Sequence, residues 1–310
     1  MSPRWRAATR GSPLALWQTR RVASLLGGDV EEVVVQTTGD RRADAPIHEM
    51  GGQGVFVREV QAAVLEGRAD FAVHSAKDLQ PRVTPGLALA CVPERGDPRD
   101  ALVGTRLDDL PPGARVATGS VRRRAQLAWL RPDLTFSGLR GNIGTRLEKA
   151  GQFDAIVMAA AALDRLGRLS EAADILDPSV LLPQVGQGAL AVECRQDDAA
   201  ATEALAALDH GASRAELDAE RAFLDTLGGG CDLPVGALAR WEGGAMTMDV
   251  LVAGLDGRTV LRRRQEMPAG GDPAAFGVAA AQRLLEGGAA TVLAGGDDVL
   301  AGGDDVQLPT

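Results

Sequence analysis

The sequence has no tyrosine, and aromatic residues make up only 3% of its 310 positions. Aromatic rings on which bases stack are a main source of single-stranded nucleic-acid binding, and they are poorly supplied here. The net charge is −9 at pH 7, so there is no overall positive field to attract a phosphate backbone. These two absences predict that nucleic acid is not a partner.

Cysteine and histidine are also scarce, with three of each. Three scattered cysteines are too few for a disulfide framework, and their spacing is not that of zinc ligands. Cys91 and Cys194 lie in apolar segments typical of buried strands, where cysteine behaves as a small hydrophobic residue. We predict no metal site, and Cys231 is the one cysteine in a different setting.

Long apolar runs are missing. The longest, residues 155–163, has nine residues, whereas a helix needs roughly 18 to span a bilayer. The first six residues, Met-Ser-Pro-Arg-Trp-Arg, lack the apolar region of a signal peptide. We therefore expect a cytoplasmic protein with no membrane partner.

Lysine is almost absent. Only Lys77 and Lys149 occur, and the other 31 of the 33 basic residues are arginine. Such an imbalance is typical of a genome-wide codon bias. A single arginine is thus a weak indicator of function in this chain, while a retained lysine is a stronger one.

Much of the chain alternates short apolar strands with helical patterns, as in parallel sheets covered by helices. The alternation stops at residues 93–100, which have the composition of a linker, and then resumes. We predict an α/β fold of two lobes, like those of periplasmic binding proteins, joined by hinges. A small C-terminal α+β domain follows, and residues 294–310 form an acidic tail that repeats Ala-Gly-Gly-Asp-Asp-Val.

Three predicted strand-to-helix turns combine small residues, hydroxyl or amide side chains, and arginine. A helix N-terminus presents free backbone N–H groups, and arginine adds a planar fork that matches a carboxylate. Several such turns indicate a ligand with several anionic groups; the alternative is that the arginines form surface ion pairs. The residues are Arg10 and Ser12 in the first turn, Thr118, Ser120, Arg122 and Arg123 in the second, and Arg140 and Arg146 in the third.

Two further positions carry reactive groups. Lys77 and Asp78 follow an apolar strand, where a carboxylate can act as a general acid or base. Alternatively, Asp78 caps a turn and Lys77 is solvated. Cys231 follows three glycines, which let the backbone approach a bulky group. It is either a reactive thiolate or a loop cysteine without a role.

Taken together, these motifs resemble the porphobilinogen deaminase family, whose members are also called hydroxymethylbilane synthases. The similarity extends from about Arg6 to Ala239. It is carried by Ala-Thr-Arg-Gly-Ser-Pro-Leu-Ala-Leu-Trp-Gln (8–18), His-Ser-Ala-Lys-Asp (74–78), Ser-Val-Arg-Arg-Arg-Ala-Gln-Leu (120–127), Leu-Arg-Gly-Asn-Ile-Gly-Thr-Arg-Leu (139–147), Leu-Pro-Gln-Val-Gly-Gln-Gly-Ala (182–189) and Gly-Gly-Cys (229–231).

The resemblance implies a transferase of porphyrin and haem biosynthesis. Four porphobilinogen molecules are joined head to tail with loss of ammonia, and water releases the linear tetrapyrrole. A dipyrromethane cofactor is implied, held by a thioether at Cys231, with Asp78 and its neighbour Lys77 as the catalytic residues. The residues implied to bind the cofactor are Cys231, Arg10, Ser12, Lys77, Thr118, Ser120, Arg122, Arg123 and Arg146, and those implied to bind substrate are Arg10, Phe56, Arg140, Arg146 and Arg165.

The resemblance also implies a monomer of three domains. Residues 1–93 with 189–207 would form the first lobe, 98–186 the second, and 211–293 the domain that carries Cys231. The segment around Glu49 and Gln53 departs from the family, which usually has lysines there. This departure leaves open the part of that loop in anion binding.

Two other interpretations stay open at the level of sequence. A non-catalytic, two-lobed anion-binding module explains the lobes and the arginines, but it has no use for Cys231 or for the Lys77-Asp78 pair. A degenerate homologue would keep the fold and the cofactor but turn over poorly, and Glu49 and Gln53 favour that interpretation.

Overall fold

The computed structural model describes residues 5–38, 54, 57–230 and 233–295. The predictions made for Glu49, Gln53, Phe56, Cys231 and the tail from residue 296 onward lie outside the described residues. The strands of the described part form three separate sheets, and helices pack against each sheet. No described helix is both long and apolar enough to cross a membrane.

The first sheet has five strands in the order β2-β1-β3-β10-β4. β1 is parallel to β2 and β3, whereas β10 lies antiparallel between β3 and β4. The structure thus inserts a strand from residues 189–207 into a sheet made otherwise from the first 93 residues. The strands are Trp5–Arg10 (β1), Val30–Val35 (β2), Phe71–Ser75 (β3), Leu87–Cys91 (β4) and Leu190–Arg195 (β10).

Helix α1 (Pro13–Leu26) packs on this sheet and begins where the sequence predicts. The Ser12 hydroxyl accepts a hydrogen bond from the Ala15 N–H at 3.3 Å, and proline at the first helical position loses no hydrogen bond. The helix ends at Gly27, whose φ of 70° is a left-handed conformation that glycine adopts without strain. Local sequence therefore sets both ends of α1.

The second sheet also has five strands, in the order β7-β6-β8-β5-β9. Two of them were not predicted. β5 begins at Asp100, inside the expected linker, and β9 lies in a segment with no strand assignment. The strands are Asp100–Gly104 (β5), Arg115–Ala117 (β6), Thr135–Ser137 (β7), Ala155–Ala159 (β8) and Ala172–Leu176 (β9).

Helices cover both sheets, and most of them are short. The apolar pattern of residues 55–66 predicts a helix, and the described helix begins at Arg58. The buried faces pack against the strands, as Val60 and Val64 do beneath the first sheet. The helices are Arg58–Leu65 (α2), Val121–Leu130 (α3), Ile143–Glu148 (α4), Ala160–Arg165 (α5) and Ala199–Ala206 (α6).

The C-terminal part is a three-stranded antiparallel sheet with helices on one face. Phe223, Met248 and Phe276 lie in its buried core. Strand β11 was not predicted, because its first five residues are all buried and its sequence lacks the polar–apolar alternation of a half-exposed strand. The elements are Gly211–Thr226 (α7), Val235–Glu242 (β11), Ala245–Ala253 (β12), Val260–Glu266 (β13), Pro273–Glu286 (α8) and Ala289–Leu293 (α9).

One buried carboxylate joins the three parts. Glu220, which is fully buried, accepts hydrogen bonds from both terminal nitrogens of Arg95 at 2.7 and 3.1 Å. It also accepts the Gly186 N–H at 2.7 Å and the Ala239 N–H at 2.9 Å. A single side chain on α7 therefore holds both inter-lobe connections and the C-terminal sheet. The domain boundaries drawn from the sequence stay a prediction.

The turn between β12 and β13 packs tightly on α3. A Cβ added at Gly257 would lie 2.5 Å from the Ala128 Cβ, and Gly257 has a φ of +72°. We expect Gly257→Ala to lower the free energy of unfolding by about 1–3 kcal/mol, measured by urea denaturation. Gly243 has a φ of +59°, but a Cβ added there would have no atom within 4 Å. Gly243→Ala therefore measures the effect of backbone strain without a packing clash. Equal losses in the two variants would refute the packing argument.

Candidate active site

Arg10, Ser12 and Asp78 line one cleft at the edge of the first sheet. β1 and β3 are parallel neighbours, so the residues that follow them emerge at the same edge. β1 ends at Arg10, and β3 leads into a 3₁₀ turn, Ala76–Asp78. The structure thus brings together the predicted catalytic carboxylate and two predicted anion-binding residues.

Polar contacts fix the floor of this cleft. The Nε2 atom of His74 lies 3.3 Å from Oε2 of the buried Glu193, and Gln61 donates to the same oxygen at 2.8 Å. Burial by itself raises the pKa of Glu193, but His74 and Gln61 outweigh it, and that pKa is lowered. Gln18 donates to the Ser75 hydroxyl at 2.7 Å. The residues preceding Asp78 are therefore held from two sides.

The second lobe contributes two capped helix starts. The Ser120 hydroxyl accepts the Arg123 N–H at 3.4 Å, and the Ser120 N–H donates to the Thr118 hydroxyl at 3.2 Å. The Asn142 Oδ1 atom caps α4 by accepting a hydrogen bond from the Thr145 N–H at 3.0 Å. The serine and asparagine side chains of these turns, which the sequence predicts as parts of anion-binding turns, thus cap their helices.

Arg122 and Arg123 are both held by Asp100, the first residue of β5. Arg122 donates to Oδ2 at 2.7 Å, and Arg123 donates twice to Oδ1, at 3.0 and 2.7 Å. The three side chains are 2%, 7% and 0% exposed. Both predicted cofactor-binding arginines therefore already bind a protein carboxylate. Among the side-chain nitrogens of these two arginines, the buried Nε of Arg122 has no hydrogen-bond partner in the described part of the chain.

Asp100 remains ionised in spite of its burial. Burial alone would raise its pKa, but the charges of Arg122 and Arg123 and their hydrogen bonds lower it to about 2. Gln187 adds a further hydrogen bond to Oδ1 at 2.8 Å. The cluster of Asp100, Arg122 and Arg123 carries a net positive charge at neutral pH.

Lys77 lies next to this cluster. Its ammonium donates to Oε1 of Gln187 at 3.2 Å. Burial, followed by the positive charge of Arg123, lowers the pKa of Lys77 to about 8, although Asp78 and Asp100 oppose that shift. Lys77 is therefore mainly charged at neutral pH but close to its titration point.

Arg146 extends the positive region. Its Nε donates to the Gly141 carbonyl at 2.8 Å. Burial lowers its pKa to about 10, and the like charges of Arg123 and Arg140 act in the same direction, while Asp78 opposes them. Like charges held together raise the free energy of the site, and an anionic ligand relieves that repulsion.

Arg165 lies apart from this positive region. Its Nη2 donates to the Gly188 carbonyl at 2.6 Å, and its guanidinium stands over the Trp17 ring, 5.7 Å from the centroid. These contacts join α5 of the second lobe to α1 and to the returning connection. The substrate-binding role assigned to Arg165 stays a prediction, because its described contacts are all with protein.

A second pocket lies where α3 meets the C-terminal part of the chain. It is lined by Ser120 and Arg122 on one side and by Gly230 and Leu233 on the other. Gly230 has a φ of +149°, a conformation nearly restricted to glycine, and it directly precedes Cys231 in the sequence. Two predicted cofactor-binding residues therefore face the segment that leads to the predicted attachment point.

Sequence reasoning missed Asp100 and gave Gln187 no role. Asp100 was assigned to a linker because prolines and charges precede it. The available signal was a single carboxylate directly before the apolar run Ala101–Val103, which is typical of a buried strand end. Gln187 was noticed only as part of a glycine-rich connection.

The fold and the site define a two-lobed α/β protein with a carboxylate beside a group of cationic side chains. The chain belongs to the porphobilinogen deaminase family. Residues 5–203 match the model for "Porphobilinogen deaminase, dipyromethane cofactor binding domain", and residues 215–286 match "Porphobilinogen deaminase, C-terminal domain".

Curated relatives of the same name match over most of their length. The porphobilinogen deaminase of Roseiflexus castenholzii is 48% identical over 93% of this chain and 97% of its own. The porphobilinogen deaminase of Acidothermus cellulolyticus is 51% identical over 83% of this chain and 82% of its own length. The enzyme of Nitratidesulfovibrio vulgaris strain Hildenborough is 46% identical over 92% and 94%.

Among solved structures, a methionine-binding lipoprotein of Bacillus subtilis described as putative is similar, with a TM-score of 0.40 and 13% identity. The match covers 66% of this chain and 89% of that one. The substrate-binding protein of an amino acid ABC transporter has a TM-score of 0.36 and 14% identity. That match covers 66% of this chain and 91% of the other chain. At these TM-scores the similarity carries no argument about the ligand.

Proposed function

We propose that this protein is a hydroxymethylbilane synthase. It joins four porphobilinogen molecules head to tail, releases one ammonia at each condensation, and frees the linear tetrapyrrole by reaction with water. The observation that carries the proposal is Asp78 in a cleft with Arg10 and Ser12, close to further cations of the second lobe. Membership of the porphobilinogen deaminase family supports a role in porphyrin biosynthesis.

Asp78 is the proposed acid–base group. Loss of ammonia leaves a positive charge on the pyrrole, and a nearby carboxylate stabilises that charge most strongly where water is excluded. The same carboxylate can then accept the proton from the ring carbon at which the new bond has formed. Its place on the 3₁₀ turn after β3 holds it at the cleft wall throughout these steps.

The cations around the cleft are proposed to hold the acetate and propionate groups. Arg10 and Ser12 serve the ring next to Asp78, and Lys77, Arg140 and Arg146 serve carboxylates further along. Each of these side chains can donate a hydrogen bond, and an ionised carboxylate accepts hydrogen bonds without donating any. Phe56 is proposed to cover the growing chain.

The described residues fit a dipyrromethane cofactor. A buried Arg122 Nε without a partner and mutually repelling cations are the donor set that its carboxylates require. Ser120, Arg122, Arg123, Thr118 and Arg146 would hold it. When bound, the cofactor supplies the free pyrrole carbon to which the first substrate is joined.

Removal of the thiol should abolish cofactor attachment. We expect the wild-type chain to carry the extra mass of two pyrrole rings, and Cys231→Ala to have only the mass of its own sequence. Intact-protein mass spectrometry measures both. Cys91→Ala is the matched control, because that thiol is buried in the first sheet and should leave the adduct in place. A wild-type chain without the adduct would refute the proposed attachment.

The same purified chain distinguishes the remaining interpretations. A non-catalytic binding module would bind porphobilinogen without consuming it. A degenerate homologue would carry the adduct but consume porphobilinogen much more slowly than an ordinary family member. Replacement of Glu49 and Gln53 by lysine tests whether that loop limits turnover. We further propose that the protein is cytoplasmic and acts as a monomer. Sedimentation of the purified chain measures its oligomeric state.

A further inference from the structure

The side chain of Gln187 lies between two charged groups of the site. It is fully buried in the connection that returns from the second lobe to the first. Its Oε1 accepts from the Lys77 ammonium at 3.2 Å, and its Nε2 donates to Asp100 at 2.8 Å and to the Pro98 carbonyl at 2.7 Å. One neutral amide therefore bridges the cation beside Asp78 and the carboxylate that holds Arg122 and Arg123.

The orientation of this amide is set by its neighbours. A carboxylate and a carbonyl, on Asp100 and Pro98, offer only acceptors, so the NH₂ group must face them. The oxygen must then face Lys77. The rotated amide would place its oxygen against the oxygens of Asp100 and Pro98 and its NH₂ group against the ammonium, which costs all three hydrogen bonds.

The backbone around Gln187 is equally constrained. Its carbonyl accepts the Arg95 Nε at 3.0 Å, and its N–H donates to the Gln184 carbonyl at 2.9 Å. The next residue, Gly188, has a φ of +86°, and a Cβ there would lie 2.5 Å from the Gly96 carbonyl oxygen. The two inter-lobe connections thus pack directly on each other and fix the point from which the amide projects.

We propose that Gln187 is a positioning residue: its amide oxygen holds the Lys77 ammonium ready for the carboxylates of the ligand, while its NH₂ group stays bound to Asp100. Asp100 then remains with Arg122 and Arg123. This inference rests on the proposed function only for the identity of the ligand. A carboxylate in place of the amide would hold Lys77 as an ion pair, while an apolar side chain would leave the ammonium without this acceptor.

The scarcity of lysine makes a direct test practical. The sequence contains only Lys77 and Lys149, so full-length protein labelled with ¹³C at the lysine ε-carbon gives two signals. Lys149→Arg assigns them. NMR titration of wild type, Gln187→Met and Gln187→Glu then measures the pKa of Lys77, while Lys149 is the internal reference.

The two substitutions should act differently on the same group. Gln187→Met removes the acceptor, so we expect the pKa of Lys77 to fall by about one unit. Gln187→Glu keeps an oxygen facing the ammonium and should hold that pKa at or above the wild-type value. Should the methionine variant not fold, Gln187→Asn, whose amide is too short to reach both partners, replaces it. An unchanged pKa in Gln187→Met, or a fall in both variants, overturns the inference.

A kinetic measurement connects the amide to the reaction. At pH 7.5, a fall in the pKa of Lys77 from about 8 to about 7 reduces its charged fraction roughly threefold. We expect a similar rise in KM for porphobilinogen in Gln187→Met, with kcat little changed because Asp78 is untouched. Gln196→Met, on an exposed side chain, should change neither quantity. A wild-type chain that consumes no porphobilinogen contradicts the proposed function, whereas the NMR result is independent of it.

Discussion

Asp78→Asn is expected to lower the turnover of porphobilinogen by roughly 10²–10⁴-fold, the usual contribution of a positioned acid–base group. Asparagine has nearly the same shape, so Arg10 and Ser12 should still line the cleft. It has no negative charge to stabilise a cationic pyrrole, and its amide cannot take up the proton from the attacked carbon. Initial rates of porphobilinogen consumption at saturating substrate measure the effect.

Asp78→Asn should lose turnover of porphobilinogen but keep its covalently bound cofactor. Intact-protein mass of Asp78→Asn is therefore expected to show the same two-pyrrole adduct as wild type, which separates a catalytic defect from an assembly defect. Asp108→Asn, at an exposed position on the second lobe, is the matched control and should retain wild-type rates. Normal turnover by Asp78→Asn would remove Asp78 from the proposed mechanism.

Asp100→Asn is expected to cost about 3–5 kcal/mol of folding free energy, because it leaves the charges of Arg122 and Arg123 buried without a counter-charge. The two guanidiniums are 2% and 7% exposed, so water cannot replace the carboxylate. The midpoint of urea-induced unfolding measures the loss.

An exposed ion pair of the same type provides the comparison. Asp133 accepts from Arg131 at 2.7 and 2.8 Å, but both side chains are substantially accessible, at 35% and 26%. Exposed pairs typically contribute about 0–1 kcal/mol, so Asp133→Asn should be nearly neutral. A small loss in Asp100→Asn, equal to that of Asp133→Asn, would contradict the argument from burial.

The pH dependence of stability follows with a definite sign. The pKa of Asp100 is lowered from 3.8 to about 2 in the folded state. Its contribution, about 2 kcal/mol, is thus fully present above pH 4 and is lost as the pH falls from 4 to 2. Asp100→Asn should remove this part of the acid dependence. Unfolding curves of both proteins between pH 5 and 2 provide the measurement.

Short polar motifs determined a large part of the site. Ser12, Ser120 and Asn142 lie in the three turns predicted to lead into helices, and each caps its helix, because a cap depends on atoms only three residues away. Asp78 was predicted after an apolar strand, and its place in the cleft follows from the parallel pairing of β1 with β3. Local chemistry and strand order were sufficient for these residues.

Pairing between distant residues could not be read in the same way. Arg122 and Arg123 were predicted to hold ligand carboxylates, and that role stays a prediction; their shared contact with Asp100, more than twenty residues away, could not be read from the sequence. Arg165 likewise contacts Gly188 and Trp17. Arginine is common in this chain, and nothing in its immediate sequence distinguishes an internal carboxylate partner from a ligand carboxylate.

The sequence by itself determined the α/β class, the family and the acidic and basic side chains from which the site is built, because these depend on periodicity and on ordered motifs. Only the tertiary structure decided which charges neutralise one another. Asp100 and Gln187 acquired their importance from the sheet order that brings β5 and the returning connection beside Lys77. The energy of a buried charge depends on its neighbours in space, and chain separation carries no information about them.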